Sequence, residues 1–153
     1  MEAMDRAAVR RALETEMTVD IVTTGRRTGL PRTIEIWFVN LDSRIHITGT
    51  VSDHDPGTPH PRDWLANLIA DPRMILRLKQ SVHVDLPARA ELVREPARRR
   101  EIFLRPETRW YREQGETVDD LVEGAPLVEL TFVEEAAWLN DWPGSTLDAY
   151  GLV

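Results

Sequence analysis

The sequence predicts a mainly β protein with helices (α+β): a six- to seven-stranded antiparallel barrel, helices at its ends, in a single domain over residues 1–153. Three observations carry that expectation. Apolar and polar residues alternate in closely spaced runs rich in β-branched types. The gaps between most runs are short and hold glycine, proline or aspartate. Few segments could serve as the helical crossovers that parallel strands need.

The elements follow in order. Residues 2–17 are expected to be helical, because Ala8, Val9, Ala12, Leu13 and Met17 recur near a 3.6-residue period. Strands are expected at Val19–Thr24, Thr33–Leu41 and Arg44–Thr50, with Asp42-Ser43 as a tight turn. On the second, Ile34, Ile36 and Phe38 share one face and Glu35 and Trp37 the other. On the third, Ile45 and Ile47 point one way and His46 and Thr48 the other, away from the core. Val51–Arg62 is a proline-rich loop by composition. It leads to a short amphipathic helix over 63–70, whose apolar stripe is Trp64, Leu65, Leu68 and Ile69. Arg73–Lys79 is a fourth strand. A fifth begins near Val82 and resumes after Pro87, a proline that points to a bulge or an edge. Pro96 opens a helix that Pro106 ends, Thr117 caps a short acidic helix closing at Gly124, and Leu127–Val133 is the last strand.

Composition excludes several functions. The formal net charge is −7, which argues against general nucleic-acid binding and against docking on anionic lipid. There is no cysteine, so thiolate catalysis, disulfides and metal–thiolate sites are ruled out. No apolar run is long enough for a membrane span and no secretory leader is evident, so the expected location is cytoplasmic.

Against that acidic background, Thr24-Gly25-Arg26-Arg27-Thr28-Gly29-Leu30-Pro31-Arg32 gathers three arginines, two threonines and two glycines into nine residues. Guanidinium forks, hydroxyls and backbone N–H groups that glycine leaves accessible are the parts of a phosphate or carboxylate clamp. The same residues would also make an ordinary solvated hairpin turn. Neither the GxxxxGK[ST] loop nor a GxGxxG fingerprint is present.

TTGRRTGLPRTIEIWFV, then HITGT, then the helix residues Pro61, Trp64, Asn67 and Leu68, resemble the deazaflavin (coenzyme F-420)-dependent reductases of the nitroreductase and quinone reductase type. These belong to the split β-barrel superfamily that includes pyridoxamine phosphate oxidase and FMN-binding proteins. The resemblance implies a cofactor groove with its phosphate end at the basic turn. By motif match, Arg26, Arg27, Thr28 and Arg32 become phosphate and tail contacts. Thr48, Gly49 and Thr50 become the strand end bordering the groove, Trp64 and Asn67 the helix beside it, and Trp37 a wall near the ring. It further implies hydride transfer to a small organic acceptor (a quinone, nitroaromatic, enone or imine) and a homodimer. Two alternatives stay open: an FMN-dependent oxidoreductase of the same fold, and a non-catalytic cofactor- or tetrapyrrole-binding protein. The acidic residues Asp53, Asp55 and Asp63 are unfavourable beside an oligoglutamate tail, so either the tail runs elsewhere or the protein takes a shorter-tailed cofactor or a flavin.

The remaining candidates read as structural. Asp53, His54, Asp55, His60 and Asp63 lack a metal-ligand spacing, so no metal is expected. Glu35 is expected to pair with an arginine, Arg98-Arg99-Arg100 to form a solvated helix face, and Trp110-Tyr111 to pack or to stack on a substrate.

Overall fold

A computed structural model describes residues 4–49 and 63–141. Six strands close into an antiparallel barrel: β1 (Thr18–Thr24), β2 (Pro31–Leu41), β3 (Arg44–Thr48), β4 (Arg73–Leu78), β5 (Val84–Leu92) and β6 (Leu127–Phe132). Around the barrel they run β1-β2-β3-β6-β5-β4, and β4 pairs back with β1. Closure removes the exposed edges that would otherwise invite pairing with other chains. The order of the six strands is the one the sequence predicts.

The helices are α1 (Arg6–Thr15), α2 (Asp63–Ala70), α3 (Pro96–Leu104), α4 (Arg109–Arg112) and α5 (Val118–Gly124), with short 3₁₀ turns at Pro106–Thr108 and Glu134–Asp141. Asp5 caps α1 through the N–H of Ala8, and Thr117 and Asp120 form a capping box on α5.

Two apolar clusters hold the molecule together. The first fills the barrel with Ile21, Phe38, Ile45, Ile47, Leu76 and Leu86, and takes in Leu13 of α1 and Trp64 and Leu68 of α2. The second lies outside the barrel wall, where Val39, Leu41, Val93 and Leu127 meet Phe103, Tyr111 and Leu121 of the α3–α5 layer. Helices therefore cover one flank of the barrel, and "helices at the ends" describes only part of the arrangement. The outer positions of β2 and β3 are apolar or buried toward the C-terminus of β2 because that flank is their second core.

Several local expectations change. His46 does point out of the barrel, but its neighbours bury it to 2% exposure. Arg99 of the arginine triplet is buried too, its guanidinium donating to the carbonyls of Val93, Leu121, Val122 and Ala125 at 2.5–3.1 Å. It thereby ties α3 to the last turn of α5. Arg98 and Arg100 are more exposed and pair with Glu129 and Asp119.

Glu35 pairs with Lys79, not with an arginine, and Lys79 also holds Asp20 at 2.8 Å. Pro87 neither breaks nor bulges the fifth strand. It stands one step beyond the last β5–β6 pair, Ala88 with Phe132, and its carbonyl accepts from Val133 at 3.0 Å. At that position a missing N–H forfeits only the terminal rung of the ladder. Asp42 and Ser43 turn the β2–β3 hairpin with φ of 54° and 67°. The Asn40 side chain steadies this turn by accepting from Ser43 N–H while donating to the Leu13 carbonyl.

Candidate functional site

The arginine-bearing turn joins β1 to β2 and folds back on itself. Gly25 N–H donates to the Leu30 carbonyl and Gly29 N–H to the Gly25 carbonyl, both at 2.8 Å. The Thr28 hydroxyl accepts from Leu30 N–H at 3.2 Å. Gly29 has φ of +72°, a conformation that side chains disfavour. Gly25 is required for a different reason. A Cβ there would meet Thr28 Oγ1 at 2.7 Å and the Leu30 carbonyl at 3.2 Å, so the turn closes around space that only glycine leaves.

Helix α2 lies beside this turn. Its buried face is Trp64, Asn67 and Leu68, whereas Ile69, assigned from sequence to the apolar stripe, is 57% exposed. The buried stripe is rotated because a polar residue, Asn67, occupies the inner position. Its Oδ1 accepts from Arg26 N–H at 3.0 Å and its Nδ2 donates to Thr23 Oγ1 at 3.2 Å. One turn earlier, Asp63 Oδ1 stands 3.4 Å from Arg26 Nη1.

Between turn and helix opens a cleft of about 650 Å³. Six of the residues predicted for the site line it: Arg26, Arg27, Thr28, Arg32, Trp64 and Asn67. Thr23, Gly25, Thr33, Ile34 and Asp63 complete the lining. Among the described residues, Arg27 and Arg32 have no carboxylate within ion-pair distance, while Arg26 has Asp63. The net result is a cationic concavity beside a tightly closed backbone turn. That donor set suits an anion with several oxygens, such as a phosphodiester.

Other predicted site residues lie elsewhere. Thr48 is buried, and its hydroxyl donates to the Pro126 carbonyl at 2.6 Å, so the side chain serves the β3–β6 region and not the cleft. Gly49 is half-buried and does not line the cleft. Thr50 lies outside the described residues, as do Asp53, His54, Asp55 and His60. Trp37 is 39% exposed on the outer face of β2, with its ring 4.9 Å from that of Trp110. Trp110 in turn meets the buried Tyr111 edge-on at 5.0 Å. Sequence reasoning missed Gly25 as a steric requirement and Thr23 and Asp63 as partners of the turn; the i, i+4 spacing of Asp63 and Asn67 was the available signal for the last.

A family model of F420H(2)-dependent quinone reductases matches residues 3–122. The cationic cleft lies within that span, and the chain belongs to this family: it is an oxidoreductase of the deazaflavin-dependent type, with coenzyme F-420 as its cofactor. No curated protein matches the chain. Solved structures share the fold. A conserved hypothetical protein from Mycobacterium tuberculosis is 19% identical with a TM-score of 0.56, covering 86% of this chain and 82% of its own. An F420 reductase is 15% identical with a TM-score of 0.54, covering 82% of this chain and 93% of its own. A Listeria innocua structure assigned to the pyridoxamine 5'-phosphate oxidases is 11% identical with a TM-score of 0.53, covering 84% and 93%. At these identities the likeness is one of fold, the pyridoxamine phosphate oxidase-like split barrel.

The cleft fits such a cofactor on its own chemistry. Coenzyme F-420 carries a phosphodiester between its ring-bearing and tail portions. The chain offers Arg27 and Arg32 without carboxylate partners among the described residues, on a turn whose shape Gly25 permits.

Proposed function

We propose that the chain binds the phosphodiester of reduced coenzyme F-420 in the cleft between the arginine turn and α2, and delivers its hydride to a small conjugated organic acceptor, a quinone foremost. Nitroaromatics, enones and imines are the further acceptor classes of this reading. Arg27 and Arg32 supply the charge-assisted hydrogen bonds, the Thr28 hydroxyl and the turn fix the anion's position, and Trp64 gives the cleft an apolar side.

The observation that carries this reading is the composition of the cleft itself. Its described lining holds no histidine, lysine, cysteine or tyrosine, and its one acid, Asp63, faces Arg26. A site of this kind binds and orients; it does not provide a side-chain nucleophile or an evident proton carrier. The cofactor, when bound, supplies the hydride, and the residues present position it and exclude water.

Pairing of two copies is part of the reading, supported by the exposed Trp37–Trp110 pair on the outer wall. The test of function is anaerobic turnover of reduced F-420 against a panel of benzoquinone, naphthoquinone, nitroaromatic and enone acceptors, followed by loss of the reduced cofactor's spectrum. Saturable, enzyme-dependent oxidation with at least one quinone is expected. Tight cofactor binding with no turnover on any acceptor contradicts the reading and favours a carrier protein.

A further inference from the structure

The motif places Arg26 and Asn67 among the cofactor contacts, yet both side chains are already engaged with each other's elements. Asn67 is 5% exposed, and its carboxamide bridges Arg26 N–H and Thr23 Oγ1, which lie 41 and 44 residues earlier in the chain. The orientation of that amide is fixed by chemistry: a backbone N–H can only donate, so the atom facing it is the oxygen. Asp63, four residues before Asn67 and on the same helical face, takes the other end of Arg26 through its guanidinium. Residue 26 is therefore gripped by α2 at both its backbone and its side-chain tip. The peptide so held carries the Gly25 carbonyl, which accepts from Gly29 and closes the turn.

We propose that Asn67 is a positioning residue that locks the arginine turn to α2, so that turn and helix form the cleft as one unit, with Arg26 part of the frame and Arg27 and Arg32 left to meet the ligand. The inference rests on the cleft being an anion site; it does not depend on which cofactor carries the anion. A turn held in its binding geometry before the ligand arrives loses less freedom on binding. The lock acts from outside the turn, whereas Gly25, Thr28 and Leu30 hold it from within.

The alternative role, direct contact of Asn67 with the cofactor's ring, makes a different prediction. Inorganic pyrophosphate has the oxygens but no ring, so it separates the two. Wild type and Asn67→Leu, a substitution of similar size that can neither donate nor accept, are titrated with pyrophosphate and with oxidised F-420. The lock predicts that both affinities fall together, by about tenfold. Pyrophosphate affinity unchanged in Asn67→Leu overturns it, whether or not F-420 affinity falls. Wild type that binds neither ligand also overturns it, together with the anion-site reading. Wild type that binds pyrophosphate but not F-420 removes the cofactor assignment and leaves the Asn67 comparison decisive.

A second measurement needs no variant, in case Asn67→Leu fails to fold. Amide hydrogen exchange on the wild-type protein is expected to show the Arg26 amide protected in step with the amide of Asp71, which closes the end of α2 by donating to the Asn67 carbonyl. Exchange of the Arg26 amide at the rate of an unstructured chain overturns the lock.

Discussion

A methyl group on Gly25 would stand 2.7 Å from Oγ1 of Thr28, closer than any ordinary contact. The backbone of Gly25 is not in the left-handed region, so the constraint is one of space. Thr28 cannot simply rotate away, because its hydroxyl accepts from Leu30 N–H. Gly25→Ala is therefore expected to open the turn, with an overpacking cost of about 1–3 kcal/mol and a loss of at least fivefold in pyrophosphate affinity. Gly29→Ala is the informative comparison. It meets nothing within 4 Å but inherits a φ of +72°, so it is expected to cost about 1 kcal/mol without a clash at the Thr28 hydroxyl. Thermal melts and titration of both variants check this.

Arg99 makes a prediction about stability away from the cleft. Its buried guanidinium serves four carbonyls on β5's extension, on α5 and just beyond it. Arg99→Met removes every one of those donors and is expected to destabilise the fold by about 3–5 kcal/mol. Arg100→Ala, which loses one exposed pair with Asp119, is expected to cost about 0–1 kcal/mol. Urea denaturation of the two neighbours measures the difference.

Glu129 predicts an acid-dependent loss of stability. Its carboxyl is held down to about 2, first by His46 and further by the Arg98 guanidinium, against the opposing effect of burial. The ordinary value is 4.5, so between those limits the unfolded chain binds more protons than the folded one. Stability from this group is complete above about pH 5 and is lost as pH falls toward 2. Glu129→Gln is expected to flatten that part of the profile by about 2 kcal/mol. The comparison must be made against wild type across the range, because Asp71, also held down to about 2 by Arg73, titrates in the same window.

Much of the fold was legible because it follows from short-range pattern. Alternation found all six strands, Asp42-Ser43 marked the hairpin, and Thr117 marked the start of α5 with its cap. What stayed hidden depended on which surface each strand turns to. His46 and Arg99 look solvent-facing in sequence, yet His46 is buried beside Glu129 of β6 and Arg99 against the end of α5. Ile69 and Asn67 were exchanged for a related reason: hydrophobic period alone favours the isoleucine, while a buried amide with two long-range partners outweighs it. For the site, the basic turn was legible from residue types, and the Trp64–Asn67 helix from the family resemblance. Their juxtaposition across one cleft came from the chain's topology, which also buried Thr48 against Pro126 and put Trp37 on the outer wall.

Binding of F-420 to the wild-type protein and to Arg27→Ala and Arg32→Ala tests the central claim most directly. A charge-assisted phosphate contact in this cleft predicts at least a tenfold loss of affinity, about 1.4 kcal/mol or more, in one or both variants. Unchanged affinity in both contradicts the clamp.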